Sequence, residues 1–339
     1  MKKVTLQEIA NSLGISRTTV WKVFSGHEGV SDSLRTRVIA KAQELGYAIP
    51  EDFQYPQSAE ETTPVNIAVA VCRPETSLFW MTIHQIAKVF STHNVNLVYT
   101  YLPTSADKTY FLPPTLTNGN VHGIIVLNVY NERLLRLLAE TQIPKVFLDT
   151  SSLVAPDELN GDLLLMESRT SVRRITCHLL EQGRTLPGFI GDIGYAQSNR
   201  ERYEGFCQAL TDAGKKVDSS LCLTTPLGID TYREEIDTFL SSLSRMPDAF
   251  VCASDYVACI LMQLLEKRGL RVPEDVAVSG FDNNTEDLLA EHLTTVQVFN
   301  EELGARLALQ ILYRIKYPNT PHEITYLGTN VLYRDSTGD

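Results

Sequence analysis

No run of apolar residues in this 339-residue chain approaches the ~20 needed to cross a bilayer. The start, Met1-Lys2-Lys3, leads into an amphipathic pattern and not an apolar one, so no signal peptide is read and the cytoplasm is expected, with no membrane partner. The six cysteines (72, 177, 207, 222, 252, 259) form no Cys-x-x-Cys pair, and the seven histidines do not cluster. Zinc ligation is therefore not expected, and reduced, mostly buried thiols are. Also missing are a Gly-x-Ser-x-Gly elbow, a phosphate loop and a His-Glu-x-x-His pair. Gly191-Asp192-Ile193-Gly194 is a glycine turn after a strand, but it lacks the rest of a dinucleotide fingerprint. An enzyme is not expected, nor a cofactor or a metal.

Positive charge is scarce, but unevenly so. The net charge of −11 splits into +3 for residues 1–50, with seven Lys/Arg against four Asp/Glu, and −14 for the rest, with 23 against 37. A small basic head sits on an acidic body. Phosphate repels the body, so only the head is expected to meet a nucleic acid.

The head has a readable design. Thr5-Leu6-Gln7-Glu8 has the form of a capping box. Leu6, Ile9, Ala10 and Leu13 then make one apolar helix face. Gly14 permits the positive φ of a tight turn, and Ser16 can cap a second helix that buries Val20 and Val23 and exposes Arg17, Thr18 and Lys22. Ser31 starts a third helix with Leu34, Val38, Ala42 and Leu45 inside, ending at Gly46-Tyr47. Helix, tight turn, helix is the helix-turn-helix arrangement, whose second helix enters the major groove of DNA.

Residues 48–64, AIPEDFQYPQSAEETTP, hold three prolines, four carboxylates and no Lys or Arg, and read as a linker. From Val65 the pattern changes to short apolar runs between amphipathic helices. Strands are expected at 66–71, 96–101, 123–127, 146–148, 163–166, 188–191, 249–253, 276–279 and 295–298. Helices are expected near 78–92, 131–141, 169–182, 198–213, 231–244, 256–268 and 301–316. The alternation implies β-α-β units and a parallel, doubly wound sheet. Nine strands are many for one sheet, so two lobes are expected, with a ligand cleft beyond the carboxyl ends of the strands.

The run Ile15-Ser16-Arg17-Thr18-Thr19-Val20, then Val30-Ser31 and Glu44-Leu45-Gly46-Tyr47, resembles the headpiece of the LacI/GalR repressor family. The body continues the resemblance with Arg202-Tyr203-Glu204-Gly205-Phe206, Met246-Pro247-Asp248-Ala249 and Ala253-Ser254-Asp255. Gly269 to Val276 then leads into Gly280-Phe281-Asp282 and Leu293-Thr294-Thr295-Val296. The resemblance implies a helix-turn-helix headpiece (1–49), a linker (50–64) and a two-lobed, periplasmic-binding-protein-like domain (65–339). By analogy the lobes are 65–161 with 292–320, and 162–291 with 321–339. The function implied is that of a homodimeric transcription repressor of a carbohydrate-utilisation operon. It would bind a near-palindromic operator under control of a sugar-like effector held between the lobes.

Site residues follow from the same match. Arg17, Thr18 and Lys22 stand where the family reaches base edges; Thr5, Ser16, Thr19 and Ser31 are expected to hold the phosphate backbone with hydroxyls and helix-start amides, or simply to cap, and both roles can hold together. Trp21 departs from the small serine common there; it either packs on sugar-phosphate or covers the small core. For the effector, Arg202 offers the paired donors of a guanidinium and Asp282 the complementary acceptors. Asp149 ends a strand at the cleft edge, and Phe79 and Trp80 offer aromatic faces to a sugar ring. Each also has a plain structural alternative: an ion pair of Arg202 with Glu201 or Glu204, a loop cap at Asp149, core packing at Phe79 and Trp80. Ser254, also expected at the effector, replaces the family's usual asparagine and so loses one amide that commonly orients the ligand, and Glu167-Ser168-Arg169 stands where Asp-Asn commonly starts a helix, with Ser168 able to cap. The family's Asn-x-x-Ala-Arg-x-Leu hinge is absent. Pro50 to Pro56 offers neither Arg nor Leu, so little bending of the operator is expected. A solute-binding protein on the same fold is the alternative from another class, opposed by the headpiece. An activator, or a regulator that needs a corepressor, is not separable from a repressor in the sequence.

Overall fold

The structure, a computed structural model, describes residues 4–25, 27, 30–47, 64–72, 77–228, 230–284 and 291–338. Apart from Pro64, the expected linker lies outside them. The chain divides into two compact units at Thr63/Pro64.

The first unit holds helices α1 (Leu6–Leu13), α2 (Arg17–Phe24) and α3 (Asp32–Leu45). Gly14 ends α1 at φ 67°, where a side chain would be strained. Ile9, Ala10, Val20, Val23, Val38, Ile39 and Ala42 form the buried core, with Leu6, Leu13 and Leu34 packed against it. Leu45, expected inside, is exposed. The helix ends one residue later at Gly46, the chain turns back with the Tyr47 amide donating to the Ala42 carbonyl, and the Tyr47 ring packs 5.4 Å from Phe24.

The second unit runs β1 (Val65–Val71), α4 (Ser77–Phe90), β2 (Val95–Tyr101), β3 (Gly123–Leu127), α5 (Glu132–Glu140), β4 (Lys145–Leu148) and β5 (Asp162–Met166). It continues with α6 (Arg169–Glu181), β6 (Pro187–Ile190), α7 (Gln197–Asp212), β7 (Cys222–Leu223), α8 (Tyr232–Ser242), β8 (Ala249–Cys252), α9 (Asp255–Lys267) and β9 (Ala277–Ser279). It closes with β10 (Thr295–Gln297), α10 (Asn300–Lys316), β11 (Ile324–Leu327) and β12 (Asn330–Leu332). Two parallel sheets result, β11-β5-β4-β3-β1-β2 and β7-β6-β8-β9, with an antiparallel pair β10-β12. No described helix is long and apolar enough to cross a membrane.

Both faces of the first sheet are covered around its inner strands, which is why β1, β3, β4 and β5 are buried nearly throughout, while the edge strands β2 and β11 alternate. Ile67, Val69, Val71, Ile125 and Leu127 face α4 and α10 through Ile83, Ile86, Leu307 and Ile311. Ala68, Ala70, Ile124, Val126 and Phe147 face Leu134, Leu135 and Leu138 of α5. Gly304 of α10 makes the close crossing possible, since a Cβ there would sit 2.6 Å from the Thr82 carbonyl oxygen.

The expected lobe boundaries need correction. Residues 162–166 and 324–327, assigned to the second lobe, form β5 and β11 of the first sheet. A buried ion pair holds them there: Arg314 Nη2 lies 2.6 Å from Asp162 Oδ1, and each side chain is 2% exposed. Gln310 donates to Asp162 at 2.7 Å and the Glu323 amide at 2.9 Å, while Arg314 also donates to the carbonyls of Thr320 and Pro321. The start of β5, the end of α10 and the approach to β11 are thus tied at one point. The chain passes between the lobes at 166–169, around β10, and at 327–330.

Candidate functional site

In the headpiece the expected caps are present. Thr5 and Glu8 complete a reciprocal capping box, with the Thr5 amide donating to Glu8 at 2.8 Å. Ser16 accepts from the Thr19 amide at 3.0 Å and lies 2.8 Å from the Thr19 hydroxyl, so α2 starts rigidly. Ser31 stands at the N-cap position of α3 but, unlike Thr5 and Ser16, makes no side-chain capping bond there. Arg17, Thr18 and Trp21 are exposed on α2, while Lys22 and Thr19 are half-buried. Trp21 therefore does not cover the core; its ring lies 4.8 Å from that of His27. The sequence reading missed Arg35, which donates to the carbonyls of Val23 (3.3 Å) and His27 (3.1 Å) and fastens α3 to the end of α2.

In the lobed unit, Arg202 of α7, Asp282 after β9 and Asp149 after β4 come together. Arg202 is 4% exposed, lies 3.6 Å from Asp282 Oδ1, donates to the Ala253 carbonyl and caps the face of Phe281 at 3.6 Å. The alternative pairing with a helix carboxylate falls away: Glu204 pairs with Arg169, and Glu201 accepts from Tyr326 and Gln197. Gly205 lets α7 lie on α6, because a Cβ there would collide with the Arg169 carbonyl.

Asp149 is buried at φ 61°, with Oδ2 accepting from the Ser198 hydroxyl at 2.6 Å and Oδ1 from the Thr150 amide at 2.8 Å. Ser198 belongs to the second lobe, so this bond closes the lobes on each other. The Gln197 amide donates to the Thr150 carbonyl at 2.8 Å, Ser152 donates to the Ile193 carbonyl at 2.9 Å, and the rings of Tyr130 and Tyr195 meet at 4.4 Å. A ligand that reaches Asp149 competes with Ser198 for its carboxylate. The sequence held a signal for it, since Ser198 lies one helical turn before Arg202 on the same face of α7. Tyr130 and Tyr195 gave none beyond their place after strand ends.

Three expectations need correction. Ser254 caps α9, accepting from the Val257 amide at 3.3 Å, and enters the site only through its neighbours Ala253 and Asp255. Ser168 does not cap α6 with its side chain; Glu167 does, accepting from the amides of Thr170 (2.5 Å) and Ser171 (3.2 Å). Its longer side chain reaches the helix start from one residue earlier. Trp80 is half-exposed and stacks on Tyr99 of the edge strand β2 at 6.2 Å, apart from the Arg202 group, while Phe79 packs against the core.

The carboxylates of this group are crowded. Burial pushes Asp282 up to about 6, against the downward pull of Arg202. Asp255, which accepts from the Thr295 hydroxyl at 2.6 Å and the Asn284 amide at 2.7 Å, is pushed up to about 7 by burial and by the charge of Asp282. Burial also raises Asp149, opposed by Ser198, the Thr150 amide and Arg202. A raised carboxyl binds a proton in the folded state that the unfolded chain, titrating near ~4, has released. Stability is thus expected to fall as the pH rises from about 4 to about 7. Urea unfolding across that window, compared with Asp255→Asn, isolates the contribution: the variant should show a flatter profile, and parallel profiles would speak against it.

Where the crossing segments meet, Met166, Val298, Phe299, Leu303, Leu327 and Thr329 line a cavity of about 310 Å³.

Residues 5–50 match bacterial regulatory proteins of the lacI family, and residues 176–337 match a periplasmic binding protein-like domain. The HTH-type transcriptional repressor PurR of Pasteurella multocida is 25% identical over 335 residues, 98% of each chain. Among solved structures, the transcriptional regulator CelR in complex with cellobiose shares the fold at TM-score 0.69 and 24% identity, covering 98% of this chain and 100% of its own. The lac repressor dimer bound to operator and the anti-inducer ONPF does so at TM-score 0.67 and 20% identity, covering 99% of each. With a headpiece that matches the lacI family followed by a lobed domain that matches periplasmic binding proteins, the chain is a DNA-binding transcriptional regulator of the LacI type with an effector-binding domain.

Proposed function

We propose that the protein is a homodimeric repressor of a carbohydrate-utilisation operon, working in the cytoplasm on a near-palindromic operator and released or retained there by a sugar-like effector. The observation that carries the reading is the Arg202–Asp282 pair, a fork of donors beside an acceptor, with Asp149 of the other lobe near enough to feel the charge of Arg202. That combination suits adjacent hydroxyls, which both donate and accept. The relative solved with cellobiose supports a carbohydrate. The exposed Trp80, Met81, Tyr99 and Tyr101 support a second copy as cover, since so many large apolar groups on α4 and an edge strand favour burial, and the lac repressor is solved as a dimer.

Control follows from the clasp. An effector that binds Arg202, Asp282 and Asp149 competes with Ser198 and changes the angle between the lobes. Such a change shifts DNA affinity only as far as the effector's affinities for the two states differ. A thermal-shift screen against mono- and disaccharides and sugar phosphates tests the reading. A ligand at 100 times its dissociation constant should add about 2.7 kcal/mol, and the absence of any hit among carbohydrates would sink the sugar assignment.

Within the headpiece we assign base contacts to Arg17, Thr18 and Lys22, and backbone contacts to Thr5, Ser16, Thr19 and Ser31. Lys22→Ala should relax the preference at one base position at a cost of roughly 1–3 kcal/mol. Selection of binding sites from random DNA checks this, and an unchanged preferred sequence would remove Lys22 from the base readers.

A further inference from the structure

We propose that Trp21, held by His27, is an aromatic platform for the deoxyribose of the operator backbone, beside the bases met by Arg17, Thr18 and Lys22. The inference rests on the DNA-binding reading of α2. Trp21 is 45% exposed and does not pack with the headpiece core. Covering an indole is worth more than covering any other side chain in so small a core, so an outward Trp is a cost unless something else covers it. It lies four residues after Arg17 and three after Thr18, which places all three on the outer face of α2, opposite buried Val20 and Val23.

The ring is also fixed in place. It lies on the His27 imidazole at 4.8 Å and 34°. His27 in turn is tethered by its amide to the Lys22 carbonyl (3.1 Å), and its own carbonyl accepts from Arg35 (3.1 Å). A contact surface ordered beforehand loses less entropy on binding.

The occupant follows from groove geometry. A recognition helix turns its first residues to the base edges. Trp21 lies beside Lys22, but its ring rests on His27 beyond the helix end, so it meets the groove wall and not the base edges. There the apolar surface is the C–H edge of deoxyribose. Trp21 is the contacting residue and His27 a positioning residue.

The test uses the full chain, an operator selected from random DNA, and fluorescence anisotropy at fixed salt. Trp21→Ala should weaken operator and unrelated duplex by a common factor of about tenfold, the scale of one lost aromatic contact to a nucleotide. The preferred sequence and the salt dependence should stay as they were, and Trp21→Phe should recover most of the affinity. His27→Ala should weaken binding in the wild-type background but not in Trp21→Ala, and His27→Phe, which keeps a ring beneath the indole, should bind like wild type. Trp21→Ala binding both DNAs like wild type would overturn the proposal. So would a loss confined to the operator with a changed preference at one base, which would make Trp21 a base reader. If the wild type selects no sequence at all, it is the DNA-binding reading that fails.

Discussion

Asp162→Ala is expected to destabilise the lobed unit by about 3–5 kcal/mol, because it leaves the Arg314 guanidinium, 2% exposed, without its carboxylate. Burial works to raise the Asp162 pKa, but hydrogen bonds from Arg314, Gln310 and the Glu323 amide outweigh it and hold the carboxyl below its ordinary value. A lowered carboxyl contributes stability above the unfolded value of ~3.9 and loses it as the pH falls through the lowered one. The effect of the substitution should therefore be full at pH 7 and shrink in acid. Urea unfolding at both pH values measures it. The double substitution Asp162→Leu with Arg314→Met should recover much of the loss, since replacing both partners of a buried pair removes the unpaired charge. An unchanged urea midpoint for Asp162→Ala would show that β11 is held by something else.

Arg202→Ala should abolish the response to effector while leaving operator binding intact. Removing Arg202, the buried partner of its ion pair with Asp282, costs about 2–5 kcal/mol, or roughly thirty- to several thousand-fold in ligand affinity. Arg202→Lys should not rescue, because a point charge cannot reach the Ala253 carbonyl, Asp282 and the Phe281 face together as the planar fork does. Calorimetric titration with the ligand found by thermal shift, beside operator binding of the same variant, gives both numbers. A variant that responds like wild type would remove Arg202 from the site.

Most of the fold was legible because its elements carry their own local signals. Capped starts at Thr5 and Ser16, the turn at Gly14 and the apolar runs of buried strands all lie within a few residues of where they act. What was not legible depends on residues far apart in the chain. β11 is four residues with an exposed edge and gains its place from Arg314 and Asp162, which are 152 residues apart. The Asp149–Ser198 bond spans 49 residues, and position alone could not show that Asp149 is occupied by the protein itself. Trp80 was placed at the cleft because it follows a strand end, yet the first turn of α4 also reaches the sheet edge, where Tyr99 stands. Position after a strand narrows a side chain to one end of the sheet but not to one side of it.

A small molecule held between the lobes is proposed to govern how tightly the headpiece binds DNA. The affinity of the full chain for its selected operator, measured with and without a saturating carbohydrate ligand, tests it most directly. A shift of about fivefold or more, in either direction, that vanishes in Arg202→Ala is the expected result. A ligand that stabilises the protein and leaves operator affinity unchanged would contradict it.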